Sequence, residues 1–150
     1  MTNPRILAID FGTKRMGLAV SDALGITAQG LPTLERTRIA DDLARLRSRV
    51  DEYSVELVLV GNPIGHSGTG TAMSQRVAEF VERLRRTLPC RVELRDERLT
   101  SVEANRTLRE AGLSISKRQR AVDRMAAVLL LQSYLDYLEN ERRRGSGTQG

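Results

Sequence analysis

The sequence of 150 residues predicts an α/β domain with the element order βββαβαβαα, and three observations point to it. Residues 5–22, RILAIDFGTKRMGLAVSD, read as an apolar strand, a glycine-bracketed turn and a second apolar strand. The run ELVLV at 56–60 is short and nearly continuous in apolar residues, as a strand buried on both faces should be. On either side of it, apolar residues recur at steps of three and four, the period of an amphipathic helix.

The first strand ends in Asp10. An unpaired carboxylate at the tip of a buried strand costs several kcal/mol to desolvate, so a metal ion or a nearby base must meet it. The turn from Gly12 to Gly17 is long enough to close a hairpin and carries Lys14 and Arg15, which would face Asp10 with a basic rim. QGLPTLE at 29–35 is predicted as a third strand, and Pro32, which cannot donate to a ladder, makes it weak or an edge. Ile39, Leu43, Leu46, Val50 and Tyr53 then define one face of a helix that should cover a sheet. After the strand at 56–60, Gly61, Pro63, Gly65, Gly68 and Gly70 mark a long loop containing His66, which reads as a solvated loop residue in preference to a proton shuttle.

A second amphipathic helix follows over about 72–87, with Met73, Val77, Phe80, Val81, Leu84 and Leu88 inward, and RVELRDE at 91–97 makes another strand. Thr100 and Glu103 have capping-box spacing and start a helix to about Ala111, ended by Gly112; Ser116 and Gln119 repeat the signature. The last helix runs to about Arg143, and its centre, MAAVLLL at 125–131, is apolar nearly all round, which predicts that it is largely buried.

No internal repeat or linker divides the chain, so one domain over 1–141 is expected. RRRGSGTQG at 142–150 has no apolar residue to bury and reads as a mobile basic tail. With 40% hydrophobic and 29% charged residues the rest excludes disorder. A net charge of +5 favours an anionic partner, nucleic acid first. One cysteine and one histidine exclude an internal disulfide and a Cys/His zinc site, and Cys90 reads as a small core residue. No run approaches the roughly 20 apolar residues of a membrane span, and MTNPR lacks a secretory apolar centre, so no membrane partner and a cytoplasmic location are expected. Aromatics are only 3% and Trp is absent, which supplies a base-stacking platform poorly and favours recognition of backbone and shape.

Two further acids resemble Asp10 in setting. Glu97 ends the strand at 91–97, and Asp123 lies in the early turns of the most apolar helix, with Ala126 and Ala127 at i+3 and i+4. Were the three to converge, each pair would repel by about 4 kcal/mol at 4 Å with an effective dielectric near 20, and a divalent cation would reverse that sign. Oxygen ligands without sulfur or imidazole suit Mg²⁺ or Mn²⁺, which activate water and stabilise a leaving oxygen in phosphodiester cleavage. Singly, each acid also has a structural reading: Asp10 capping its turn, Glu97 at the surface, Asp123 paired with Arg120 or Arg124.

Four segments in order carry a resemblance: DFGTKRMGLAVSD at 10–22, GNP at 61–63, DERLTS at 96–101 and VDRMAAVLLLQSYL at 122–135. Together they resemble the YqgF family, also called RuvX, described as pre-16S rRNA nucleases or Holliday junction resolvase-like proteins. Asn62 departs from the family pattern, standing where an apolar residue is more usual. The resemblance implies a ribonuclease H-like fold, a mixed five-stranded sheet flanked by helices. It also implies a metal-dependent endonuclease maturing the 5′ end of small-subunit ribosomal RNA, with catalytic and metal-holding acids at Asp10, Glu97 and Asp123. Within DER, Asp96 points to the opposite face from Glu97 and stays open as the ligand.

Basic residues gather around these acids in sequence: Lys14 and Arg15 in the first turn, Arg98 beside Glu97, and Lys117, Arg118 and Arg120 before Asp123. Lys14, Arg15, Arg98 and Lys117 are therefore expected to neutralise phosphates of a structured RNA, or of branched DNA, in a salt-sensitive way. Competing readings are a Holliday junction resolvase and a non-catalytic nucleic-acid-binding factor in transcription or ribosome assembly. An ATP-binding protein of the sugar kinase and actin type needs a second comparable domain that 150 residues do not accommodate. A monomer or weak homodimer is expected.

Overall fold

The computed structural model describes residues 4–63, 72–97, 112 and 115–147. Five strands form one sheet: β1 (Arg5–Asp10), β2 (Arg15–Ser21), β3 (Ala28–Glu35), β4 (Val55–Pro63) and β5 (Arg91–Glu97), in the order β3-β2-β1-β4-β5. The three N-terminal strands pair antiparallel as a meander, and β1–β4 and β4–β5 are parallel, so the sheet is mixed. β3, which contains Pro32, is an edge, where a missing ladder donor costs least. β4 runs further than ELVLV and takes Gly61, Asn62 and Pro63 into its ladder with β5.

Two helical layers close over this sheet. α1 (Ile39–Glu52) and α2 (Ala72–Thr87) bury Leu43, Leu46, Val50, Val77, Phe80 and Leu84 against Leu7, Ile9, Leu18, Val58 and Val60. α3 (Ile115–Gly147) lies on the other face, with Ala127, Leu130, Leu131 and Leu135 against Ile6, Ala8, Ala19, Leu57 and Leu59. Strand alternation thus assigns Leu7 and Ile9 to the α1/α2 side and Ile6 and Ala8 to the α3 side. The helix predicted over Thr100–Ala111 lies outside the described residues.

α3 departs from expectation in two respects. It packs on one face only, so Leu129 is 36% exposed and the apolar stretch 125–131 is buried on its inner side alone. Past residue 141, where composition suggested a mobile tail, the helix continues to Gly147. Ion pairs Arg143–Glu139, at 3.3 Å, and Arg142–Glu139, at 3.4 Å, lace this exposed extension at helical spacing.

The direction of α3 follows from its contacts with β3. Gln132 accepts a hydrogen bond from the Ala28 N–H at 3.1 Å, whereas Gly30, further along β3, lies against Arg124 and Val128. The helix therefore runs antiparallel to β3 and to β1. Its N-terminal half lies toward the C-terminal ends of β1, β4 and β5.

Candidate active site

β1 and β5 end at the same edge of the sheet, and two of the predicted acids, Asp10 and Glu97, are their last residues. Asp10 is half-buried at the end of β1, in the alternate set of Ile6 and Ala8, and so on the α3 side. Asp10 pairs with Gly17 on β2; on its other side the β1–β4 ladder ends at Ile9–Val60, and Gly61, next along β4, pairs with Arg95 on β5. Gly17, opposite Asp10, adds no side chain on the β2 side.

Glu97 pairs with Pro63 and Asp96 with Asn62. Position 97 falls in the alternate set of Glu93 and Arg95, and Arg95 stacks over Tyr134 and Tyr137 of α3 at 5.1 and 5.4 Å. Position 96 falls in the set of Val92, which belongs to the α1/α2 core. The backbone register thus separates the two alternate sets of β5: that of Arg95 lies on the α3 side and that of Val92 on the α1/α2 side. Position 123 on α3 is one turn before Ala127, which packs with Ala8 and Ala19, small residues that let the helix approach closely. Positions 10 and 97 close β1 and β5 at the same end of the sheet, and position 123 lies on α3, which packs over the face of Ile6 and Ala8. The side chains of Glu97, Lys117 and Asp123 are outside the described set, as are Arg98 and His66 altogether. Among the described residues, no three His, Cys, Asp or Glu side chains cluster closely enough to hold an ion.

Lys14 is exposed in the β1–β2 turn and Arg15 half-buried at the start of β2, both within a few residues of Asp10. The turn is held from behind: its Lys14 carbonyl accepts the Arg36 N–H at 2.9 Å, and its Gly12 carbonyl accepts the Arg36 guanidinium at 3.2 Å. Arg36 is fixed in turn by Asp42, a fully buried carboxylate that also accepts from Thr37 N–H and Oγ1, both at 3.0 Å, and from Arg45 at 2.6 Å. Burial alone would raise the Asp42 pKa, but the Thr37 backbone bond and the bonds from Arg45, Thr37 and Arg36 outweigh it and hold the carboxyl below its usual value. Sequence reading passed over this residue. Its signal was an acid on the flank of the apolar stripe, four residues before Leu46, with arginines at 36 and 45. Cys90 packs half-buried on the core, where burial raises its thiol pKa and keeps it unreactive.

A family model described as RuvX: Holliday junction resolvase matches residues 4–137. The chain belongs to the RuvX family. A protein of Koribacter versatilis named "Putative pre-16S rRNA nuclease" is 52% identical over 132 residues, spanning 88% of this chain and 86% of the relative. One of the same name from Clostridium novyi is 44% identical, spanning 88% and 98%. Among solved structures, RuvC of T. thermophilus in complex with a Holliday junction superposes with TM-score 0.56 at 14% identity, over 92% of this chain and 97% of that one. The Fowlpox virus resolvase, also solved with junction DNA, gives 0.53 at 13%, over 89% and 98%. The fold is therefore ribonuclease H-like, and family membership makes the chain a nuclease, a hydrolase of phosphodiester bonds. No helix among the described residues is long and apolar enough to cross a membrane.

Proposed function

We propose that this chain is a divalent-metal-dependent endonuclease that trims the 5′ end of pre-16S ribosomal RNA, with Asp10, Glu97 and Asp123 holding the metal. What supports this reading is that Asp10 and position 97 close β1 and β5 at one end of the sheet, while α3, which carries position 123, packs on the face of Ile6 and Ala8, the alternate set of Asp10. An all-oxygen donor set, without sulfur or imidazole, fits Mg²⁺ or Mn²⁺. Such an ion supplies Lewis-acid stabilisation and a more acidic bound water. The chain's own residues do the rest. Asp10, at the end of β1, faces the scissile phosphate, and Lys14 and Arg15 neutralise flanking phosphates, with Arg98 and Lys117 assigned the same role from sequence. The names of the close relatives support RNA as substrate.

Cleavage of a structured pre-rRNA and of a branched DNA junction in Mn²⁺, by parent, Asp10→Asn and Asp123→Asn, tests the proposal. The parent is expected to cut the RNA, and each variant to lose about 10³-fold or more in rate, the equivalent of roughly 4 kcal/mol of transition-state stabilisation. Equal activity in variant and parent ends the assignment of that acid. A parent that cuts only the junction makes the chain a resolvase.

A further inference from the structure

On the α1/α2 side of the same sheet edge lies a cleft of about 360 Å³, lined by Phe11, Thr13, Arg36, Arg76, Glu79 and Arg83 among others. Phe11 directly follows Asp10 and packs on the opposite core, so cleft and acid edge are separated only by the strand tip and the turn bearing Lys14. Three guanidiniums face this space against one carboxylate. Arg36 is neutralised by Asp42 at 3.2 Å, but Arg76 and Arg83 are exposed and have no ion-pair partner among the described residues. Glu79 stands three residues from one and four from the other, spacing at which helical pairs close readily, yet neither pair forms. Arg85 on the same helix, by contrast, is paired with Glu82 at 2.9 Å and also donates to the Val92 carbonyl. Arg76 and Arg83 are two turns apart on one side of α2, about 10.5 Å along its axis. They present two cationic side chains beside a surface cleft, an arrangement suited to an extended anion carrying several charges.

The aromatic floor narrows the ligand class. One side of the Phe11 ring meets Phe80, at 4.6 Å between centroids, and Arg36 stacks on it at 4.8 Å. The Phe11 ring is thus engaged by Phe80 and Arg36, and the charged lining of the cleft suits sugar-phosphate backbone. We propose that this cleft binds backbone phosphates of the nucleic-acid strand flanking the segment at Asp10, with Arg76 and Arg83 as the contacts. The inference rests on the nuclease reading and extends it: the strand wraps over the β1–β2 turn and is held on both sides of the sheet edge.

The test uses the full chain carrying Asp10→Asn and a labelled RNA hairpin with a single-stranded 5′ extension, with affinity measured across a salt series. Adding Arg76→Ala and Arg83→Ala should weaken binding roughly tenfold at low salt and make the log–log salt slope shallower by about 0.7–0.9 per arginine. Arg76→Lys with Arg83→Lys should keep the slope, and Arg86→Ala, an exposed arginine of α2 away from the cleft, should leave binding unchanged. Both arginines are exposed, so unfolding temperatures of all variants should match. An alanine pair with the slope and affinity of its Asp10→Asn background overturns the cleft assignment and leaves the nuclease reading standing. An equal loss in Arg86→Ala also overturns it, since the effect would then be one of overall charge. Absence of RNA binding by the Asp10→Asn background itself overturns both readings.

Discussion

Replacing Asp42 by Asn tests how the turn beside Asp10 is held. The carboxylate is fully buried and accepts four hydrogen bonds, from Arg36 Nε, Arg45, Thr37 N–H and Thr37 Oγ1. Asn keeps one oxygen but sets an N–H against a guanidinium donor, leaving a buried cation short of its counter-charge. Breaking a buried ion pair from one side costs about 3–5 kcal/mol. The Arg36 and Arg45 side chains are 18% and 44% exposed and recover part of their hydration, which lowers the expectation to about 2–4 kcal/mol. At this chain length about 3 kcal/mol corresponds to a fall of roughly 6–12 °C in Tm.

The loss should depend on pH in a defined sense. The folded-state pKa of Asp42 is depressed, so its stabilisation is complete above the unfolded value, about 3.9, and is lost as pH falls through the lower folded value. Urea unfolding of parent and variant at a series of pH values should show a constant gap from neutral pH to about 5 that shrinks below about 4. A gap under about 0.5 kcal/mol at pH 7, within the range of ordinary surface substitutions, would refute the reasoning. So would a gap that does not change with acid.

A Cβ at Gly12 would stand 2.4 Å from the Arg15 carbonyl oxygen, a backbone atom, so Gly12→Ala must displace the turn, with an expected cost of about 1–3 kcal/mol by thermal unfolding and slower cleavage. Unchanged stability and rate would show that the turn yields without cost. Leu131 is fully buried between α3 and the sheet, and Leu131→Ala should lower urea-unfolding stability by about 2–5 kcal/mol; a smaller loss would mean that α3 is not firmly docked. Lys14→Ala should make the salt slope of RNA binding shallower by about 0.7–0.9, and an unchanged slope removes Lys14 from the interface.

Much of the fold was legible because hydrophobic period is a local property. The apolar strands at 5–10 and 15–21, the stripe from Ile39 to Val50 and the edge position of β3 all follow from residues adjacent in sequence. The extent of β4 was less legible. Gly61 and Pro63 read as loop, yet the parallel ladder with β5 draws them into the strand, and ladder pairing is a long-range contact that no local window contains. The continuation of α3 beyond Arg142 escaped a compositional reading for a similar reason: a helix already formed over its neighbours extends without a new nucleation cost, and Glu139 is placed to pair with the arginines that follow.

What the amino-acid order determined unaided was the inventory: which segments are strands or helices, which acids end them, and where the basic residues gather. Which alternate set of β5 faces α3 belonged to tertiary structure, because alternation orders residues within a strand while only pairing with β4 and burial of Val92 tell the two sets apart. So did the burial of Asp42 and the opening of a cationic cleft by Arg76 and Arg83, since the environment of a charge depends on partners that folding brings from other elements.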